Sequence, residues 1–302
     1  MRRQITGRRV LITGASTGIG RALALTLASR GARLAVSART EQALTELADT
    51  IERAHGSRPA VLVADLSQRG NAADLAARAL EALGDVDILI NNAGIGMSGY
   101  QWNVGDRDEG REVFETNVWS PMALIGALVP LMRDRNEGTV VNLTSLMMYR
   151  NWPGLGNYAA SKAALSALTE TLRLELVGSD VRVLEATPGP VDTPILAEVR
   201  HSPGSGHILK SLPIAKPEEV AEAIADALET GRERLIVPRR LTVAAYLPGL
   251  VRFKALRQVR GAAHDIDRDD DRVRRSGSTG DPVARAAREE WEREHGAVRE
   301  RI

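Results

Sequence analysis

Tyr158 and Lys162 stand four residues apart in Tyr158-Ala159-Ala160-Ser161-Lys162, so on a helix they share one face, a turn apart. A tyrosine is a poor acid or base at neutral pH, with an unperturbed pKa near about 10. Bringing it to about 7 requires roughly 4 kcal/mol of preference for the phenolate. One ammonium about 4 Å away supplies that much at an effective dielectric of about 20. The lysine is therefore the right neighbour in sign and magnitude for a tyrosine that gives and takes a proton. Ser145 lies thirteen residues before this tyrosine.

A second group of residues points to what meets that proton. Thr13-Gly14-Ala15-Ser16-Thr17-Gly18-Ile19-Gly20 follows a short apolar run and opens a helix-period segment. Glycines there permit a tight turn and a close backbone approach, and the helix N-terminus offers free N–H groups to a pyrophosphate. The spacing is TGxxxGxG and not the commoner GxGxxG. Loop, serine and Tyr/Lys pair, in this order, describe a site that moves a hydride and a proton between a nicotinamide cofactor and a carbonyl or alcohol. An acid at the end of the second strand would accept from the ribose 2′-hydroxyl and repel a 2′-phosphate. The chain reads Ala35-Val36-Ser37-Ala38-Arg39, with Ala38 at the acid position and then a guanidinium suited to phosphate. NADP(H) is expected over NAD(H), with Ser37 and Arg39 beside the phosphate.

The elements that must position these residues alternate in type. Strands are predicted over Val10–Thr13, Arg33–Ser37, Ala60–Ala64, Val86–Ile90, Thr139–Thr144, Val181–Ala186 and Leu235–Val237. Helices are predicted over Ile19–Ser29, Glu41–Ala54, Asn71–Leu83, Arg111–Met132, Tyr158–Leu176 and Pro217–Glu229. Such alternation makes an α/β protein, a Rossmann-like doubly wound parallel sheet of about seven strands with helices on both faces. One domain is expected over 1–260. Its Pro-, Gly- and Ser-rich stretch 188–216 is a long loop after a strand's C-terminal end, where such sheets bind ligands. Residues 261–302 read as a charged, flexible tail with a short helix near Pro282–Glu294.

Bulk composition narrows the classes. The chain has 302 residues, a formal net charge of +1 and no cysteine, so disulfides, thiolate nucleophiles and Cys-ligated metals are excluded. The charge gives no case for nucleic acid. No leader-like apolar region and no run long enough for a membrane span is seen, and the expectation is a cytoplasmic protein. His55, His201, His207, His264 and His295 show no i, i+4 ligand spacing, so no metal is expected. Ser145 lacks the GxSxG elbow and the histidine that a hydrolase nucleophile needs.

The chain resembles the short-chain dehydrogenase/reductase family over roughly residues 7 to 240. The resemblance is carried by the glycine motif, Tyr158/Lys162, Asn91-Asn92-Ala93-Gly94 after the fourth strand, Asn117 in the next helix and Pro188-Gly189 after the sixth strand. It implies that Tyr158 is the general acid or base, that Ser145 hydrogen-bonds the same oxygen, and that Lys162 lowers the tyrosine pKa and reaches the nicotinamide ribose. Asn117 would anchor a water that links the lysine to solvent. It implies a cofactor site built from Gly14, Ser16, Thr17, Gly18, Ile19, Gly20, Ser37, Arg39, Asp65, Leu66, Asn92, Ala93, Gly94, Tyr158, Lys162, Pro188, Gly189, Val191 and Thr193. Asp65 and Leu66 would contact the adenine.

Met147, Met148, Tyr149, Trp152 and Leu155 fall where that family lines its substrate pocket, with Tyr100 and Trp102 after strand four and Ile195 and Leu196 in the long loop. In a chain with 3% aromatics this points to a bulky, apolar carbonyl or alcohol: a lipid-like, steroid or terpenoid ketone, or a long-chain aldehyde. Met147, Tyr149, Trp152 and Leu196 are the candidate substrate contacts. Leu241–Leu250 is apolar, flanked by Arg239, Arg240, Arg252 and Lys254. It is too short to span a bilayer and is expected to be a lid or subunit contact, with membrane-surface contact the less favoured alternative. A homodimer or homotetramer through the helices carrying Asn117 and Tyr158 is implied by the resemblance. The competing function is a non-catalytic NADP(H)-binding sensor or scaffold on the same fold. Loss of Tyr158 or Lys162 would mark it, and both are present.

Overall fold

A computed structural model describes residues 4–96, 99–104, 107–200 and 213–242, and beyond them residues 246, 247, 249, 253, 256, 257, 286, 289, 290 and 293. Seven strands form one parallel sheet in the order β3-β2-β1-β4-β5-β6-β7. They are β1 (Arg9–Thr13), β2 (Arg33–Ala38), β3 (Ala60–Val63), β4 (Ile88–Asn91), β5 (Gly138–Leu143), β6 (Val181–Pro188) and β7 (Arg234–Val237). Between them run α1 (Gly18–Ser29), α2 (Glu41–His55), α3 (Asn71–Leu83), α4 (Gln101–Val104), α5 (Asp108–Phe114), α6 (Ser120–Asp134), α7 (Gly156–Glu175), α8 (Pro194–Arg200) and α9 (Pro217–Thr230).

The strands read as unbroken apolar runs because both faces of the sheet are covered. Alternate residues divide between two cores: Val10, Ile12, Ile88, Ile90 and Val141 face α1, α2 and α9, while Leu11, Leu89 and Val140 face α3, α6 and the end of α7. Helix α9 shows why its ends were legible. Pro217 takes the first turn with Glu218 and Glu219, and Gly231 closes the helix at φ 69°, a left-handed position that glycine adopts without a Cβ penalty. At the opposite end of the sheet from the glycine loop, Arg9 holds Asp87 through its backbone N (2.9 Å), Nε (2.9 Å) and Nη2 (2.6 Å).

Three local departures matter. The expected Arg111–Met132 helix is interrupted: α5 passes into α6 through a π-helical turn over Glu115–Trp119, a device often found at functional positions. The stretch 188–216 is not loop throughout, since it contains α8 and a bridge between Val191 and Ala215. Its residues 201–212 lie outside the described residues, as does most of the tail 261–302. Of the expected late helix, Ala286, Glu289, Glu290 and Arg293 are described and helical.

Candidate active site

The strand order reverses direction between β1 and β4, and the crevice at the C-terminal ends of those strands is where doubly wound sheets hold ligands. A dense hydrogen-bond network shapes it. Thr13 Oγ1 donates to Ile90 O (3.2 Å) and accepts from the backbone N–H groups of Asn92 (3.1 Å) and Ala93 (3.0 Å). Asn92 Nδ2 donates to Thr13 O (2.8 Å) and Gly14 O (3.0 Å). The glycine loop is thus fastened to the end of β4. Gly14 (φ 67°) and Gly18 (φ 53°) sit in the left-handed region, and Gly20 is required by packing: a Cβ there would lie 2.2 Å from Gly14 O and 2.4 Å from Asn92 Nδ2.

The crevice opens into a cleft of about 680 Å³. Of the expected cofactor residues, it is lined by Gly14, Ser16, Thr17, Gly18, Ile19, Ser37, Arg39, Asp65, Leu66, Asn92, Ala93, Gly94, Tyr158, Lys162, Pro188 and Thr193. Gly20, Gly189 and Val191 are not part of that lining. Gly20 packs on its own loop, Gly189 lies against Leu241 with its N–H on Val237 O (2.7 Å), and buried Val191 bridges to Ala215. Residues that sequence reasoning missed also reach the cleft: Thr40 and Ala43 at the start of α2, Thr116, and Glu289 from the tail; Ile195 of α8, expected in the long loop, lines it too. Ser37 is buried with its hydroxyl unpartnered, two residues before the exposed Arg39. Asp65 is partly committed, since its Oδ1 accepts from Ser67 N (3.0 Å) and Ser67 Oγ (2.8 Å).

Ser145, Tyr158, Lys162 and Asn117 are all buried, at the end of β5, on the first turns of α7 and on the π-turn. Ser145 caps the short turn Leu146–Met148, its hydroxyl accepting from Met147 N (3.2 Å). Burial pushes the Tyr158 phenol above its ordinary value, and a hydrogen bond with the Ser145 side chain works the other way. Burial also pulls Lys162 from 10.5 down to about 8. Its Nζ donates to Leu143 O (2.9 Å) and lies 5.9 Å from the centre of the Tyr158 ring. The direction at Tyr158 is therefore upward, set by burial, and not the lowering expected from the lysine. Both groups lose hydration, and the ammonium is directed at a carbonyl.

The Asn117 side chain is held by three protein groups. Its Oδ1 accepts from Ile95 N (2.9 Å), and its Nδ2 donates to Ile95 O (3.0 Å) and Ser161 Oγ (3.0 Å). Ser161 in turn donates to Tyr158 O (2.8 Å). The amide thereby ties the π-turn to the chain after β4 and to the helix that carries the tyrosine. Gly94 is glycine because a Cβ would crowd Lys162 Nζ at 3.2 Å and Asn117 Oδ1 at 3.3 Å. Ser161 lies within the Tyr/Lys motif, but nothing in the sequence shows that it meets Asn117, 44 residues away.

The four candidate substrate contacts are not brought together in the cleft. Trp152 is buried with Leu155 in a small apolar cluster, against Met147 and Val199. Leu196 is buried on α8. Tyr149 is half-buried, its phenol pushed up by burial and by the charge of Glu185 while Arg234 opposes, which places it on the β6–β7 side. Tyr100 is buried and stacks on exposed Trp102 at 4.7 Å.

Comparison with known proteins locates this arrangement among others. The family model described as short chain dehydrogenase matches residues 8–204. Dehydrogenase/reductase SDR family member 7B from Bos taurus is 34% identical over 263 residues, spanning 83% of this chain and 81% of the relative. Among solved structures, a short chain dehydrogenase/reductase from Burkholderia phymatum in complex with NAD superposes with a TM-score of 0.72 at 30% identity, covering 81% of this chain and 94% of that one. A short-chain dehydrogenase from Sphingobium yanoikuyae in complex with NADPH gives 0.69 at 27%, covering 80% and 94%.

Proposed function

The chain belongs to the short-chain dehydrogenase/reductase family, an oxidoreductase family, and from that membership we propose that it is an NADP(H)-dependent enzyme. It interconverts a bulky, apolar ketone or aldehyde and the matching alcohol. The observation that carries the reading is one cleft that runs from the glycine loop, Ser37 and Arg39 to Tyr158 and Lys162. The residues present suit the cofactor: an orphaned hydroxyl at Ser37, a guanidinium two residues on, and Ala38 where an acid would repel a 2′-phosphate. Relatives of this fold are solved with NAD and with NADPH, so preference rests on these side chains.

When bound, the nicotinamide supplies or accepts the hydride. Gly14 to Gly20 and the N-terminus of α1 would hold the pyrophosphate, where free N–H groups and the helix dipole favour negative charge. Tyr158 Oη gives its proton to the carbonyl oxygen, or takes it from the alcohol in the reverse direction. Ser145 Oγ donates a hydrogen bond to the same oxygen and fixes its position. Lys162, held by Leu143 O, would hold the ribose and would meet the phenolate left behind with a positive charge. Asn117 positions both, through Ile95 and Ser161. Trp119, Leu131 and Leu174, exposed on the π-turn, α6 and α7, support assembly as a homodimer or homotetramer through these helices.

The test is NADPH oxidation by the purified protein over a panel of carbonyls from small polar to long-chain apolar, with Tyr158→Phe in parallel. Turnover is expected with the apolar members and should fall about 10²- to 10⁴-fold in the variant. Turnover confined to small polar sugars would remove the substrate class. A variant as active as the parent would remove the mechanism.

A further inference from the structure

The stretch 239–260 contains Arg239, Arg240, Arg252, Lys254, Arg257 and Arg260 and no acidic residue, in a chain whose formal net charge is only +1. Large apolar residues are interleaved with these charges. Among the described residues of the stretch, Tyr246 is 78% exposed, Phe253 58%, Leu247 52% and Leu256 49%, and Arg257 is exposed beside them. These apolar side chains and Arg257 are thus exposed to solvent in a stretch that is basic in sequence. Scattered exposed apolar residues need no explanation, but several in one short basic stretch do.

The stretch leaves the domain beside the site. After β7 a short turn over Arg239–Leu241 brings Leu241 against Gly189, where a Cβ would lie 2.6 Å from Leu241 Cδ1 and 3.3 Å from Leu146 Cδ1. Gly189 follows the end of β6 and Leu146 follows Ser145, so the stretch begins at the Ser145 end of the cleft.

We propose that residues 239–260 dock the protein on an anionic lipid surface. Six positive charges with no acid among them are attracted to lipid phosphates, and each basic residue near such a surface strengthens binding. Tyr246 and Phe253 suit the headgroup boundary, where aromatic side chains are enriched. Arginine and lysine can lay their apolar stems along the same surface while their heads stay at the phosphates. A second copy of this chain fits less well, because an isologous contact would set the six charges of one stretch against the six of the other. Among the described residues no helix is long and apolar enough to cross a membrane. The consequence of docking, that an apolar carbonyl enters the cleft from the lipid, rests on the proposed function; the docking itself does not.

The test is flotation of the full chain with vesicles of phosphatidylcholine alone and of phosphatidylcholine mixed with phosphatidylglycerol. Binding is expected only to the anionic vesicles, with release at high salt. Arg252→Gln with Lys254→Gln should weaken the partition about fivefold per charge removed. Tyr246→Ser with Phe253→Ser should weaken it independently. The thermal midpoint, and turnover of a small soluble aldehyde where there is any, should be unchanged in both pairs. Absence from anionic vesicles, or flotation indifferent to both pairs, overturns the proposal. So does a dimer that becomes a monomer in the serine pair, which would show a second copy covering this face. Flotation is read without catalysis, so failure here leaves the enzymatic reading standing, and the reverse.

Discussion

Gly20→Ala is the substitution whose effect the geometry defines most sharply. The new Cβ would sit 2.2 Å from Gly14 O, 2.4 Å from Asn92 Nδ2 and 2.8 Å from Gly14 C. Two of these atoms are backbone, and Asn92 Nδ2 ends a side chain that is tied to Thr13 O and Gly14 O. Restoring ordinary contact requires the loop and the first turn of α1 to part by about 1 Å. Overpacking of this kind costs about 1–3 kcal/mol, and the Asn92 Nδ2 to Gly14 O bond, 3.0 Å long, would add about 1 kcal/mol if it broke. The gain in helix propensity from glycine to alanine returns about 1 kcal/mol. The net is a loss of about 1–3 kcal/mol, or a melting midpoint about 3–10 °C lower for a domain of this size. The same displacement carries the helix N-terminus away from the pyrophosphate, so NADPH affinity should drop at least about 10-fold. Differential scanning calorimetry and a fluorescence titration read the two effects separately. Gly126→Ala serves as the control, since a Cβ on this exposed residue of α6 has nothing within 4 Å and should stabilise by about 0.5–1 kcal/mol. A Gly20→Ala protein with the parent's midpoint and the parent's affinity would refute the packing argument. A lower midpoint with unchanged affinity would refute only the link to the cofactor.

Two further outcomes follow from the charges. Arg39→Glu places a carboxylate where a 2′-phosphate is proposed to lie, and should weaken NADPH binding about 10- to 100-fold while leaving NADH within about threefold; parallel titrations showing equal losses for both cofactors would contradict the assignment. At the far end of the sheet, burial alone would raise the Asp87 carboxyl, but hydrogen bonds and charge from Arg9 hold it below the ordinary carboxylate range. A carboxyl depressed in the folded state contributes stability above its unfolded pKa, and that contribution disappears as pH falls through the folded value. Asp87→Asn should therefore lower the midpoint at pH 7 and flatten the acid limb below about pH 4, and parallel acid limbs in the two proteins would show that this pair does not govern it.

What the sequence discloses and what it conceals divide along a physical line. The strands were readable because a parallel sheet covered on both faces needs unbroken apolar runs, and Val10-Leu11-Ile12 supplies residues to both cores in alternation. Helix α9 was readable because proline, acids and glycine act through local backbone chemistry. The π-turn was not, because it inserts into a helix whose apolar period continues across it. Its Asn117 is pinned by Ile95 and Ser161, partners 22 and 44 residues away. Proximity in sequence does not show the surroundings of Tyr149 and Trp152. They follow Ser145 closely, yet after the short turn Leu146–Met148 one is half-buried within the charge influence of Glu185 and Arg234 while the other packs on Leu155.

The same limit applies to the chemistry of the pair that opened the reading. A four-residue spacing gives the sign of the interaction between Tyr158 and Lys162, but not the dielectric in which it acts. Enclosure disfavours charge on both, raising the phenol and lowering the lysine to about 8. At neutral pH the lysine is then still an ammonium and the tyrosine still a phenol. That is the state needed for proton donation to a carbonyl. Were the proton to leave, the phenolate and the ammonium would both stand in buried surroundings, where opposite charges attract more strongly than at a surface. On the proposed reading the lysine therefore acts less by preparing a phenolate in advance than by meeting one as it forms. Burial, which opposes the expected pKa shift in the resting site, strengthens that later encounter.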